Sequence, residues 1–146
     1  KKNINLFKEK KIKINFIGES KNLSKKVKSI IKYYSHETSQ YSRNFQINIA
    51  FNYSSKQEII NSCKKVIKNK KSINQSNIFK FLYTSPTKDP EILIRTGGYF
   101  RLSDFLLWQC SYTEIFFVKK LWPDFKSTDL NLIIKKFKKL KRNFGA

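Results

Sequence analysis

The chain has 146 residues, 40% of them hydrophobic, and 31 lysines and arginines against 10 acidic residues give a formal charge of +21. That length suits one domain that needs no disulfide or zinc staple, and the apolar content is too high for a disordered tail. The longest apolar runs, Phe105–Trp108 and Ile115–Val118, hold four residues each, far short of a bilayer span.

In chain order, residues 3–11 read as the end of a helix, with Ile4 and Phe7 spaced by three. Ile12–Ile17 alternates apolar and polar before Gly18 and predicts a strand and a turn. Leu23 to about Thr38 carries Leu23, Val27, Ile30, Ile31 and Tyr34 at helical spacing, with Ser20 or Asn22 as cap. Phe45–Phe51 alternates again and predicts a second strand; the alternation suits a solvent-faced edge equally well. Residues 56–69 place Ile59, Ile60, Cys63, Val66 and Ile67 on one helical face, and 76–83 predicts a short helix. Glu91–Arg95 reads as a strand buried on both faces. Leu102–Tyr112 predicts a helix and Ile115–Val118 a fourth strand. Ser127 or Thr128 caps a last helix running to about Arg142. This order argues an α/β fold with a mainly parallel β-sheet flanked by helices.

The N-terminus, Lys1 to Asn5, is charged with no apolar run behind it, unlike a signal peptide, and the missing initial Met fits a fragment or a trimmed chain. Cys63 and Cys110 stand far apart with no second Cys or His nearby, which fits buried thiols in a reducing compartment. One histidine, His36, does not make a zinc cluster or a Ser-His-Asp triad.

A strongly basic chain raises the question of nucleic acid. Lys, Asn, Ile, Phe and Tyr, the residues of A/T-rich codons, supply 78 of the 146 positions, and lysines outnumber arginines 27 to 4. Phosphate readers favour arginine for its planar fork. The lysines read as a compositionally biased, solvated surface, although their field would still attract anionic substrates and lipid headgroups.

One stretch carries chemistry. At Ile94-Arg95-Thr96-Gly97-Gly98-Tyr99-Phe100-Arg101-Leu102-Ser103-Asp104 a strand ends, two glycines turn the backbone and a helix is expected to begin. Ligands of open parallel sheets sit at the carboxyl ends of strands, and helix N-terminal amides favour anions. Arg95 and Arg101 as charged donors, Ser103 as a hydroxyl donor and free amides nearby would suit a diphosphate, with a divalent cation to complete the site. The competing interpretation is a plain turn whose arginines pair with Glu91 or Asp104.

Residues 91–125, EILIRTGGYFRLSDFLLWQCSYTEIFFVKKLWPDF, closely resemble the C-terminal signature of the cis-prenyltransferases, the undecaprenyl diphosphate synthase family. The resemblance extends through FQINIAFNY at 45–53, Ile12–Gly18 and Phe144-Gly145. It implies condensation of isopentenyl diphosphate onto an allylic diphosphate of the farnesyl type, with cis double bonds, to give a long-chain polyprenyl diphosphate. It further implies that Arg95, Arg101 and Ser103 hold isopentenyl diphosphate and that Glu114 ligates Mg²⁺. A homodimer, in the cytoplasm or at a membrane surface (of an organelle such as a plastid, in a eukaryote), is the implied setting. The implied product tunnel could be lined by Phe45 and Phe51, with ordinary core packing the weightier reading. Phe105–Tyr112 and Ile115–Val118 are the implied dimer elements.

The sequence also departs from the family. An Asp-Gly-Asn-Gly-Arg-Trp motif, whose Asp binds Mg²⁺ and the allylic diphosphate, is not among these residues. The 146 residues therefore read as the C-terminal 60% or so of a single cis-prenyltransferase domain, with no catalytic residue of their own and no activity alone. Tyr99 stands where Glu is frequent, Asp104 where Asn is usual, and Ser54-Ser55-Lys56 where Gly-Gly-Arg is typical. Asn143 occupies the place of a tail arginine. The alternative function is a non-catalytic subunit that binds isopentenyl diphosphate or a catalytic partner; a nucleic-acid-binding domain stands third.

Overall fold

The computed structural model describes residues 4–41 and 45–142; the tail positions Asn143 to Gly145 lie outside them. The chain forms two compact units, residues 1–87 and 88–146. The first holds α1 (Ile4–Glu9), β1 (Lys13–Ile17), α2 (Lys25–Glu37), β2 (Gln46–Ala50), α3 (Ser55–Lys68) and α4 (Gln75–Phe79). β1 and β2 pair in parallel, from Lys13 opposite Gln46 to Ile17 opposite Ala50. The second unit holds β3 (Ile92–Arg95), β4 (Glu114–Phe117), a 3-10 turn at Trp122–Asp124 and α5 (Ser127–Phe137). β3 and β4 are also parallel, from Ile92 opposite Glu114 to Arg95 opposite Phe117. The architecture is α/β, with parallel strands flanked by helices, as the element order predicts.

In the first unit Ile4, Ile12, Ile14 and Ile17 are buried. Fully buried Thr38 binds the end of α2 to β1: its hydroxyl accepts from the Ile14 N–H at 3.0 Å and donates to the Tyr34 carbonyl at 2.8 Å. A Lys8–Glu37 ion pair joins α1 to α2. Gly18 ends β1 at φ +119°, and a Cβ there would lie 2.2 Å from the Phe51 carbonyl oxygen. Only glycine admits both that backbone angle and that approach.

α3 buries a different stripe from the apolar face expected. Ser55, Glu58, Ser62 and Val66 are its buried residues, while Ile60 and Ile67 are exposed. Polar burial is tolerated where hydrogen bonds replace water. The Glu58 carboxylate accepts from the Tyr83 N–H at 2.5 Å and from the Tyr53 hydroxyl. The Ser62 hydroxyl lies 2.8 Å from the Glu58 carbonyl oxygen and 3.1 Å from that of Phe81. Nearby, Glu19 Oε1 accepts from Asn61 and from the Tyr83 hydroxyl, both at 2.7 Å. Burial and the neighbouring Glu19 carboxylate push the Tyr83 phenol up.

Other expectations change too. Ser24, not Ser20 or Asn22, caps α2, its hydroxyl accepting from the Val27 N–H at 3.3 Å. Phe45, Ile47, Ile49 and Phe51 are exposed, so the two phenylalanines are not core. Cys110 is buried but Cys63 only half so. β3 is half-buried along its length rather than enclosed on both faces. Residues 102–112 form consecutive turns rather than a helix, because Ser103, Asp104 and Leu106 take φ of 51°, 60° and 47°. Those left-handed angles cannot propagate a right-handed helix. The last helix starts after Lys126, not Ser127 or Thr128, and ends at Phe137.

Two stability outcomes follow from these contacts. Glu58→Gln replaces one acceptor oxygen with a donor and is expected to cost about 1–3 kcal/mol, read as a lower urea midpoint at unchanged slope. Gly18→Ala forces a Cβ into the Phe51 carbonyl and is expected to cost at least ~2 kcal/mol, read in the same titration.

Candidate functional site

The turn after β3 brings together three of the residues singled out in the sequence. Arg95 is the last residue of β3. Its Nη1 donates to the Arg101 carbonyl and, at 3.0 Å, to Ser103 Oγ. The Arg101 guanidinium lies 4.5 Å from the centre of the Tyr99 ring, and that of Arg95 lies 5.9 Å from it. Phe100, between them in sequence, packs its ring 5.0 Å from that of Phe117, the register partner of Arg95. Neither arginine pairs with Glu91, whose carboxylate instead accepts from Arg142 at 3.1 Å.

The glycines turn the backbone as expected, but their amides are not free. Gly97 and Gly98 have φ of +92° and +77°, as a reversal in this space requires. Their N–H groups are engaged: Gly97 donates to the Lys120 carbonyl at 2.8 Å and Gly98 to the Val118 carbonyl at 3.0 Å. With Val118 N–H donating to the Arg95 carbonyl at 2.8 Å, these bonds prolong the β3–β4 pairing past both strands. The amides are therefore spent on structure, and no helix N-terminus follows. The guanidinium groups of this turn are those of Arg95 and Arg101. A groove of about 240 Å³ runs beside them, lined by Arg95, Thr96, Arg101, Leu102 and Phe105 together with Leu93 and Ile94.

Glu114 lies elsewhere. It opens β4 opposite Ile92, at the other end of the strand pair from Arg95, about 10 Å along the sheet at the usual rise per residue. The Arg142 Nε stands 3.7 Å from its carboxylate. Arg142 also donates to the Tyr112 carbonyl at 3.0 Å and lies 5.3 Å from the Phe137 ring. Among the described residues no three His, Cys, Asp or Glu side chains gather as a metal site. A divalent ion on Glu114 would take most of its ligands from phosphate and water, which Mg²⁺ tolerates.

Sequence reasoning missed two contributors. Tyr99 stands in the sequence as a departure from the family, yet an aromatic residue between two arginines is itself a signal for ring–cation contact. Lys120 carried no signal, since its carbonyl receives Gly97 while its Nζ donates to Asp129 Oδ1 at 2.7 Å. That second bond ties the turn to the start of α5.

A doubly arginine-flanked turn at the carboxyl end of a parallel strand marks an α/β protein with a cationic candidate site. More particularly, residues 1–145 match the prenyltransferase family described as "Putative undecaprenyl diphosphate synthase", and the chain belongs to that family. It is 39% identical over 142 residues to the isoprenyl transferase of Rickettsia typhi, covering 94% of this chain and 61% of that protein. It is 37% identical to the isoprenyl transferase of Wolinella succinogenes, covering 100% and 64%. Among solved structures it resembles a probable undecaprenyl diphosphate synthase from Campylobacter jejuni, with a TM-score of 0.90, 32% identity, and coverage of 99% and 68%. It also resembles lavandulyl diphosphate synthase from Lavandula x intermedia in complex with dimethylallyl diphosphate, with a TM-score of 0.89, 27% identity, and coverage of 98% and 64%. The chain thus spans roughly three-fifths of the length of the curated relatives it matches.

The Asp129 carboxylate accepts from Lys120 Nζ and, at 2.9 Å, from the Lys126 N–H. These bonds, the Lys120 one foremost, hold it below the usual carboxylate range. A depressed folded value stabilises the fold above the unfolded value of about 4 and loses that contribution as pH falls through the lowered one. Thermal melts between about pH 6 and pH 3 are expected to show a smaller acid-induced loss in Asp129→Asn than in the parent.

Proposed function

We propose that the chain supplies the isopentenyl diphosphate half of a cis-prenyltransferase site, and that the reaction condenses isopentenyl diphosphate onto a farnesyl-type allylic diphosphate to build a long-chain polyprenyl diphosphate. The carrying observation is the convergence of Arg95, Arg101 and Ser103 on one turn, with the Arg95 guanidinium fixed by the Arg101 carbonyl and Ser103 hydroxyl. Guanidinium donors suit the planar, bidentate recognition of phosphate oxygens. Fixing them before substrate arrives removes part of the ordering cost of binding.

In each turnover the allylic C–O bond breaks and diphosphate leaves with the electron pair. A carbon–carbon bond forms to the isopentenyl unit, which loses one proton as the new cis double bond forms. The residues of this chain bind and orient the isopentenyl diphosphate. Glu114 would hold Mg²⁺, which when bound offsets charge on diphosphate oxygens. The setting we propose is a homodimer in the cytoplasm, touching a membrane where the apolar product partitions.

The 146 residues alone are proposed to bind without turning over. A second reading, a non-catalytic subunit that binds isopentenyl diphosphate, draws support from the separation of Glu114 from the arginine turn.

Two measurements test this. Calorimetric titration of the chain with isopentenyl diphosphate should detect binding that weakens tenfold or more in Arg95→Ala, as loss of a charge-assisted bond of about 1.5–3 kcal/mol requires. A longer chain, carrying the upstream part of a relative such as the Rickettsia protein, should incorporate labelled isopentenyl diphosphate onto farnesyl diphosphate only with Mg²⁺. Absence of binding would overturn the site; binding without incorporation in the longer chain would favour the subunit reading.

A further inference from the structure

We infer that Tyr99 is a positioning residue for the anion site, its ring holding the Arg101 guanidinium in place and drawing it toward that of Arg95; this rests on the proposed diphosphate role of those arginines. Arg95 does not need the ring, since its Nη1 is fixed by the Arg101 carbonyl and Ser103 Oγ. Arg101 does. Its side chain is exposed, and its guanidinium lies over the Tyr99 ring, 4.5 Å from the ring centre. A long, exposed side chain without such a partner samples many rotamers, and a ligand must then pay to order it.

The arrangement also answers an electrostatic problem. Two cations near one turn repel each other before an anion arrives. The negative face of an aromatic ring attracts each of them without adding a net charge that would compete with phosphate. A carboxylate in the same place would hold the guanidiniums more firmly but cancel one of the two positive charges. Tyr99 is 55% exposed, so its contribution is graded rather than all-or-none. The ring has an anchor of its own in the chain: Phe100, the next residue, is seated on Phe117 at 5.0 Å, beside Arg95 in the sheet.

The test is calorimetric titration of the 146-residue chain with inorganic diphosphate, for the parent and for Tyr99→Phe, Tyr99→Leu, Arg101→Ala and Tyr99→Leu/Arg101→Ala. Tyr99→Phe should bind within about twofold of the parent, because the ring face is retained, and Tyr99→Leu about fivefold more weakly. In the double variant the Tyr99→Leu effect should vanish, since the ring then has no Arg101 to hold. Thermal midpoints of the two Tyr99 variants should agree, separating positioning from folding. Equal weakening in Tyr99→Phe and Tyr99→Leu, or full additivity in the double variant, would overturn the ring's role while leaving the arginine site standing. No diphosphate binding by the parent, or an unchanged affinity in Arg101→Ala, would instead remove the underlying site and the inference with it.

Discussion

The second unit turns on a guanidinium that is fixed by its own chain. Arg95 reaches six residues ahead to the Arg101 carbonyl and eight ahead to Ser103, closing the loop that the two glycines open. Without that closure, Tyr99, Phe100 and Arg101 would be an unsupported excursion of exposed residues. With it, Phe100 settles on β4 and both guanidinium groups lie by the Tyr99 ring. The groove beside them has a charged rim and apolar walls of Leu93, Ile94 and Leu102, a combination suited to a ligand with an anionic head and a hydrocarbon body.

Where the glycine amides go decides what kind of site this can be. In many phosphate-binding turns, backbone N–H groups face the ligand at the start of a helix. Here Gly97 and Gly98 face β4 instead, and the left-handed angles at Ser103, Asp104 and Leu106 replace the expected helix with turns. Those two glycine amides are therefore not left for a ligand, which places more weight on holding the side chains of the turn still.

Much of the fold was legible because it rests on periodicity. All four strands and all five helices follow from alternation or from three-and-four spacing, although α4 and α5 end four or five residues short of the expected point. The less legible parts are those where the local pattern was not followed. The Leu102–Tyr112 segment is apolar enough for a helix, yet its φ angles depart from one. The apolar face of α3 yielded to a polar stripe because Tyr53 and Tyr83 supply hydrogen bonds to Glu58, and nothing local announces a donor 25 residues away. In the site, the three anion-binding candidates were legible as rare arginines and a neighbouring hydroxyl. The distance of Glu114 from them was implied as well, since Arg95 ends one expected strand, Glu114 precedes the next, and parallel pairing sets those two positions at opposite ends.

The carbonyl of Phe51 leaves no room beside Gly18, and Gly97 and Gly98 lie at angles few other residues adopt. In a sequence with 27 lysines and only 4 glycines, these three positions are ones where a lysine could not be written without straining the backbone or moving a neighbour.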